Sequence, residues 1–111
     1  MDIVEQRQGA VTVIRPVGPL LEADVVAFAE KSREVLAKSL GRFVLDAGGI
    51  AYADSKGLEA LLDLTEQVAE SGQMLKVCCE NETLREVLDL TDIAPLMEHY
   101  DDVAAAVRSF L

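Results

Sequence analysis

Several residue types are scarce in this chain of 111 residues. It contains one histidine, two cysteines, three prolines, no tryptophan and only 5% aromatic residues. A single histidine cannot form a histidine-rich metal site, and Cys78 and Cys79 are adjacent in sequence. On a strand their side chains would point to opposite faces, which strains a disulfide between them. We therefore expect two buried strand cysteines, no metal site and no cofactor.

Basic residues and long apolar runs are also lacking. Ten lysines and arginines stand against twenty acidic residues, which gives a net charge of −10. Such a surface repels a phosphate backbone, so nucleic-acid binding is not expected. No apolar run approaches the length of a membrane span, and no N-terminal segment has the pattern of an export signal. We expect a cytoplasmic protein without membrane insertion.

The pattern of apolar residues changes between strand and helix along the chain. Alternation at the N-terminus predicts a hairpin whose second strand, residues 11–17, ends or lies at an edge at Pro16. A helical stripe over 21–40 follows, which Gly41 ends. Strand 42–47 comes next, and the order then continues with five further elements. They are a helix from about 54 to 72, a strand at 74–78, a short helix, a short strand at 96–100, and a last helix after Asp101-Asp102. The short helix is capped either by Asn81 or by a Thr83–Glu86 capping box.

This order, β-β-α-β-α-β-α-(β)-α, predicts the fold class. Alternating strands and helices imply an α/β domain with a mixed, mainly parallel sheet of four to five strands and about four helices. The opening hairpin lies at one side of the sheet. No linker, repeat or low-complexity tract interrupts the pattern, so residues 1–111 are expected to form one domain.

The stretch from Arg42 to Leu64 carries the main functional signal. An apolar strand, Phe43–Leu45, is followed by a Gly-rich turn and then by Asp54-Ser55-Lys56-Gly57-Leu58, where helical spacing begins. Asp54 is a favourable N-cap because its carboxylate can accept from the free amides of the first turn. Ser55 is then expected at the start of the helix, exposed at the end of the loop. The helix dipole and the free N–H groups favour a phosphate at this position.

This segment resembles the signature of the STAS family, as found in bacterial anti-sigma-factor antagonists. Those domains carry Asp-Ser-Ser/Thr-Gly-Leu between a strand and a helix. The resemblance implies a regulatory, non-enzymatic protein of transcription signalling that binds an anti-sigma factor, which is also a serine kinase. It implies that the kinase phosphorylates Ser55 and thereby releases the complex, and that a phosphatase restores the serine.

The resemblance also implies a partner-binding surface with two departures from the family pattern. Lys56 occupies the position of the usual second serine or threonine, and Leu21 occupies that of an acid in the Gly-x-Leu-Asp corner. Gly57 permits a close approach, either of the partner or of a neighbouring strand. The implied partner-binding residues are Glu22, Asp24, Asp54, Lys56, Gly57 and Leu58.

Other functions fit the residues less well but stay open as alternatives. Asp54-Ser55 could serve only to cap the helix. The same domain could be a STAS accessory or scaffold subunit, for instance of a transporter complex, without control by phosphorylation. A serine hydrolase would need Gly-x-Ser-x-Gly, but Ala53 replaces the first glycine and His99 is the only possible base. A phosphate-binding NTPase has no support, because the chain contains no Gly-x-x-x-x-Gly-Lys-Ser/Thr stretch.

Overall fold

The chain begins with a β-hairpin in the computed structural model, which describes all residues from Met1 to Leu111. Strands β1 (Asp2–Gln8) and β2 (Val11–Val17) pair antiparallel along their whole length. The turn between them contains Gly9 in the left-handed conformation, with a φ of 63°. Such a short connection fixes the register of the hairpin. In the strand order of the sheet, β1 lies at one edge.

The other strands of the sheet are parallel to β2. They are β3 (Phe43–Asp46), β4 (Leu75–Cys78) and β5 (Met97–Tyr100), and the order in the sheet is β1-β2-β3-β4-β5. Each parallel connection passes through a helix, as a right-handed crossover requires. The predicted mixed, mainly parallel sheet is therefore confirmed, with five strands.

Four α-helices cover the two faces of the sheet unequally. They are α1 (Val25–Lys38), α2 (Ser55–Glu70), α3 (Glu82–Leu90) and α4 (Val103–Arg108). Side chains of the first three pack with Ile14, Leu45 and Val77 in a core of 19 buried residues. On the opposite face α4 contributes Ala106 to a smaller cluster with Val13, Val44 and Cys78. The alternation of side chains along the strands produces these two clusters.

The predicted helix over 21–40 is wrong at both ends. The structure has a short 3-10 turn at Glu22–Asp24, and α1 begins only at Val25. At the other end α1 stops at Lys38, and Leu40 is 79% exposed with a φ of 54°. Leu40 therefore does not belong to the apolar stripe, because the left-handed turn that continues through Gly41 points it into solvent.

Two further expectations are confirmed in part. Strand β2 continues past Pro16 to Val17, but its pairing with β3 extends only to Ile14, so the missing N–H of Pro16 interrupts no ladder with β3. Asn81 alone caps α3, since its side chain accepts from the N–H of Leu84 at 2.7 Å. Thr83 lies inside that helix, so the predicted Thr83–Glu86 capping box is wrong.

The expectation of two strand cysteines is wrong for Cys79. Cys78 is the last residue of β4 and is fully buried, whereas Cys79 follows the strand with a φ of 66°. Because the backbone turns there, the two side chains do not point to opposite faces. Their sulfur atoms instead lie within 4.8 Å of each other and of an Asp46 carboxylate oxygen.

Candidate functional site

Ser55 is the first residue of α2 and its side chain is exposed. The loop that carries it leaves β3 at Asp46, passes through a 3-10 turn at Ala47–Gly49, and reaches the helix at Asp54. The Ser55 hydroxyl takes part in no hydrogen bond with the rest of the chain. Another protein can therefore reach this oxygen without any rearrangement of the domain.

Asp54 caps α2 and ties it to the corner that follows β2. One carboxylate oxygen accepts from the N–H of Gly57 at 2.8 Å, and the other accepts from the N–H of Glu22 at 2.9 Å. These two hydrogen bonds, that of Gly57 being the stronger influence, lower the pKa of Asp54 below its ordinary value. The expected N-cap is confirmed, and its second bond fixes the position of the residues beside Ser55.

Gly57 makes the contact between α2 and this corner possible. It is buried, and a Cβ at this position would lie under 3.0 Å from the carbonyl oxygen of Leu20. The segments also pair directly, since the N–H of Leu20 donates to Tyr52 at 2.9 Å and the N–H of Asp54 donates to Leu20 at 3.2 Å. Of the two close approaches expected for Gly57, the structure shows the one to the neighbouring segment.

A shallow groove of about 390 Å³ runs beside the start of α2. Glu22 and Lys56 are both exposed and line it from the two sides. Lys56 forms an ion pair with Glu59 at 3.5 Å on the same helix, and both side chains are more than half exposed. Exposed pairs of this kind contribute little to stability. The side chains are therefore available for a different pairing with a partner.

Sequence reasoning missed part of this groove. Glu59 and Asp63 contribute two more carboxylates to it, and Val26 contributes an exposed apolar side chain from α1. Helical spacing could have identified the two acids, because they follow Lys56 by three and seven residues and thus share its face. No local pattern could have placed Val26 there, since only the packing of α1 on α2 brings it close.

The remaining predicted site residues lie near the groove but face inwards. Leu58 is half-buried and packs against the main core. The Asp24 carboxylate turns back to accept from the N–H of Leu21 at 3.1 Å. Glu22 is therefore the exposed acid of this corner, while Asp24 stabilises its backbone.

His99 lies away from Ser55 and is engaged on both ring nitrogens. Nδ1 is 2.6 Å from the Glu80 carboxylate and Nε2 is 2.8 Å from the carbonyl oxygen of Ala94. The side chain is 17% exposed. These contacts agree with a half-buried structural residue and do not place a base beside Ser55.

The five-stranded mixed sheet, the four helices and the capped start of α2 place the chain in a class of small α/β domains. Residues 2–106 match the model of the STAS domain, and the chain belongs to this family. Its resemblance to the STAS signature is thereby confirmed as membership. The family is a binding and regulatory fold and is not known as a class of enzymes.

Solved structures similar to this chain include an anti-sigma-factor antagonist (STAS) domain protein from Planctomyces limnophilus. It is 23% identical, with 98% of this chain and 97% of that chain covered and a TM-score of 0.83. The anti-sigma factor antagonist SpoIIAA in its unphosphorylated form is 16% identical, with 98% and 96% covered and a TM-score of 0.78. The phosphorylated form of SpoIIAA, a Bacillus cell fate determinant, is 17% identical, with 97% and 99% covered and a TM-score of 0.70.

The fold also occurs within a much larger protein. The murine anion transporter Slc26a9 is 19% identical over 95% of this chain, with a TM-score of 0.72, but only 18% of the transporter is covered. No curated protein matches the sequence. None of the helices in the structure is both long and apolar enough to span a membrane.

Proposed function

We propose that this protein is an anti-sigma-factor antagonist whose binding is switched by phosphorylation of Ser55. The observation that carries the proposal is the exposed, unbonded hydroxyl of Ser55 at the capped start of α2. The similarity to SpoIIAA in both phosphorylated and unphosphorylated form supports it. The partner in this proposal is an anti-sigma factor that is also a serine kinase, and a phosphatase reverses the modification.

The proposed partner surface is the start of α2 together with the corner beside it. Its exposed charges come from Lys56 and Glu22. Four other residues fix the backbone from which these two side chains project: Asp54, Gly57, Leu58 and Asp24. The groove contains three carboxylates and one lysine, and the whole chain carries a charge of −10. A partner with a basic surface is therefore favoured both in encounter and in docking.

The switch acts on binding and leaves the fold unchanged. A phosphoryl group adds about −1.5 to −2 charges and three acceptor oxygens at the first residue of α2. In the free protein water solvates this charge, and Asp54 keeps its two backbone hydrogen bonds. In the complex, in which the proposal places no basic partner group opposite Ser55, the unpaired dianion would lose its water, which costs several kcal/mol. Phosphorylation therefore releases the partner.

The proposal leaves no catalytic role to this chain. The kinase supplies ATP chemistry and the phosphatase supplies hydrolysis, so the domain needs neither a base nor a cofactor of its own. It acts in the cytoplasm, where the partners of bacterial transcription control reside.

The test incubates the protein with the proposed serine kinase partner and ATP, followed by intact-mass spectrometry. We expect one phosphoryl group, mapped to Ser55, and none in Ser55→Ala. Ser71→Ala is a matched control, because Ser71 is exposed at the opposite end of α2. Titration of the anti-sigma factor should show a dissociation constant at least about 30-fold larger for the phosphorylated form, which corresponds to binding weaker by about 2 kcal/mol. Unchanged labelling of Ser55→Ala, or equal affinity of the two forms, would contradict the proposal.

A second candidate function is an accessory subunit without phosphorylation control. The similarity of this chain to part of the anion transporter Slc26a9 favours it. In that case affinity purification should recover transporter components and no ATP-binding kinase. Ser55→Ala should then leave the recovered set unchanged.

A further inference from the structure

Asp46, Cys78 and Cys79 converge at the carboxyl end of the sheet. Asp46 ends β3 and Cys78 ends β4, and the two residues are partners in the parallel ladder. One carboxylate oxygen and the two sulfur atoms all lie within 4.8 Å of one another. The cluster is independent of Ser55, because Cys78 belongs to the sheet face that α4 covers.

Backbone geometry creates this cluster. Successive side chains on a strand alternate between faces, so a regular extension of β4 would separate the two thiols. Cys79 instead has a φ of 66°, which is uncommon for a residue other than glycine. Its N–H still donates to Tyr100 at 3.4 Å, so the turn begins directly at the end of the ladder. An unfavourable backbone conformation thus places the second thiol beside the first.

The neighbouring loop leaves room for the cluster. A Cβ on Gly48 would lie 3.2 Å from the Cβ of Cys79 and 3.0 Å from an Asp46 carboxylate oxygen. The N–H of Gly48 donates to that same carboxylate at 2.9 Å. Arg15 lies on the other side, with Nε 3.6 Å from the second carboxylate oxygen. The hydrogen bond from Gly48 and the ion pair with Arg15 would hold the carboxylate in place as a metal ligand.

The donor set fits a thiophilic divalent cation. Zinc binds cysteine sulfur at about 2.3 Å and carboxylate oxygen at about 2.0–2.2 Å, so ligand atoms around one ion lie at most about 4 Å apart. Small side-chain rotations would bring the three observed atoms to that spacing. Two thiolates and a carboxylate carry three negative charges, which a divalent ion and the Arg15 guanidinium together balance. A fourth coordination position would remain for water.

The two sulfur atoms differ in their access to solvent. Cys78 is fully buried and Cys79 is half-buried. Cys79 gives the cluster its access to solvent, and a bound cation would replace the two thiol protons.

We propose that Asp46, Cys78 and Cys79 bind a single thiophilic divalent cation, Zn²⁺ or its substitute Cd²⁺. Such an ion would join the ends of β3 and β4 by bonds to side chains from both strands. The site would therefore stabilise the folded protein, since an ion that binds only the native state raises its melting temperature.

The test titrates the reduced, metal-free protein with Cd²⁺ and follows the ultraviolet charge-transfer band of cadmium thiolate. We expect one equivalent to bind, Zn²⁺ to displace it, and both ions to raise the melting temperature. Cys79→Ser should lose the band or weaken binding by at least about 10-fold, and Asp46→Asn should weaken it about 10- to 100-fold. Asp63→Asn, an exposed acid on α2, is the control and should bind as the wild type does.

The variants are chosen so that a folding defect does not decide the outcome. Cys79 lies outside the strand and is half-buried, so Cys79→Ser is expected to fold, and circular dichroism checks this. Absence of a charge-transfer band in the wild-type protein would overturn the proposal. A band that persists unchanged in folded Cys79→Ser or Asp46→Asn would overturn it as well, because the three residues would then not share one ion.

Discussion

Asp54 accepts a hydrogen bond from the backbone N–H of Glu22, a residue 32 positions earlier in the chain, at 2.9 Å. Its other carboxylate oxygen caps α2 through Gly57. A single side chain thus joins the corner after β2 to the start of the helix that carries Ser55. The geometry of the proposed partner surface depends on this carboxylate.

Replacement of Asp54 by alanine should therefore lower stability and loosen the corner. We expect the melting temperature to fall by several degrees, because two backbone N–H groups lose their acceptor. Asp54→Asn, which keeps one acceptor oxygen, should recover part of the loss. Thermal unfolding followed by circular dichroism measures both. Glu59→Ala on the exposed face of the same helix is the control and should change little.

The same carboxylate predicts a dependence on pH. Its pKa is lowered in the folded protein from an ordinary value of 3.8. A lowered acid pKa contributes stability that is present above the unfolded value and is lost as the pH falls through the folded one. The difference in melting temperature between wild type and Asp54→Asn should thus be largest near neutral pH and shrink below about pH 4. A difference that stays constant down to pH 2 would contradict this account.

Gly57→Ala tests the close packing of α2 on Leu20. An added methyl group would collide with a backbone carbonyl, which cannot move aside as a flexible side chain can. We expect a loss of about 1–3 kcal/mol in the free energy of unfolding, although alanine is otherwise the better helix former. Lys56→Ala, one residue earlier and exposed, should change stability by less than about 0.5 kcal/mol. Chemical denaturation of the two variants gives the comparison, and equal effects would refute the packing argument.

The ion pair between Lys76 and Glu98 should stabilise the β5 edge of the sheet. The two side chains meet at 2.8 Å, and Lys76 Nζ also lies 4.7 Å from the centre of the Phe110 ring. The hydrogen bond from Lys76, and then that from Tyr100, lowers the pKa of Glu98. Burial alone would lower the pKa of Lys76, but its bonds to Glu98 and Tyr100 raise it on balance.

Glu98→Gln should lower the free energy of unfolding by about 1 kcal/mol, a modest value because Glu98 is 40% exposed. The contribution of the wild-type pair is present between the ordinary values of 4.5 and 10.5. It is lost as the pH falls below the first or rises above the second. Denaturation at acidic, neutral and alkaline pH should show the variant approaching wild type at both extremes. Glu59→Gln, which disrupts the exposed pair with Lys56, should show a smaller effect at every pH.

The sequence predicted the start of α2 and its N-cap well because the signals are local. Asp54 stands where an N-cap belongs, and the helical spacing after Ser55 indicates which side chains face the core. The start of α1 was harder to predict from the sequence. Glu22 lies in a 3-10 turn, and its N–H donates to Asp54, a residue far along the chain. Long-range contacts of this kind leave no periodic pattern in the sequence.

The cysteine cluster was missed for a similar reason. Strand alternation predicts that Cys78 and Cys79 diverge, and only the left-handed turn at Cys79 brings the thiols together. The local sequence indicates only that Asp46 ends an apolar strand. Its position opposite Cys78 follows from the register of β3 on β4, which the sequence does not specify.

Ser32 provides a last test, in which a substitution should stabilise the protein. Its side chain faces α2 from the buried side of α1 and lines a cavity of about 80 Å³ together with Phe28, Ala60 and Leu64. The residue is 1% exposed, and its hydroxyl oxygen has no hydrogen-bond partner. A buried polar group without a partner loses its bonds to water on folding and gains nothing in return.

Ser32→Ala should therefore raise the free energy of unfolding by about 1 kcal/mol, since alanine removes the unpaired hydroxyl and also favours the helix. Ser39→Ala is the matched control. Ser39 is buried at the end of the same helix, but its hydroxyl donates to the carbonyl of Leu36 at 3.3 Å. Chemical denaturation should show a gain for the first variant and none for the second, because only Ser39 has a bond to lose. If Ser32→Ala destabilises the protein as well, the hydroxyl has a partner in solution and the packing of α1 on α2 depends on it.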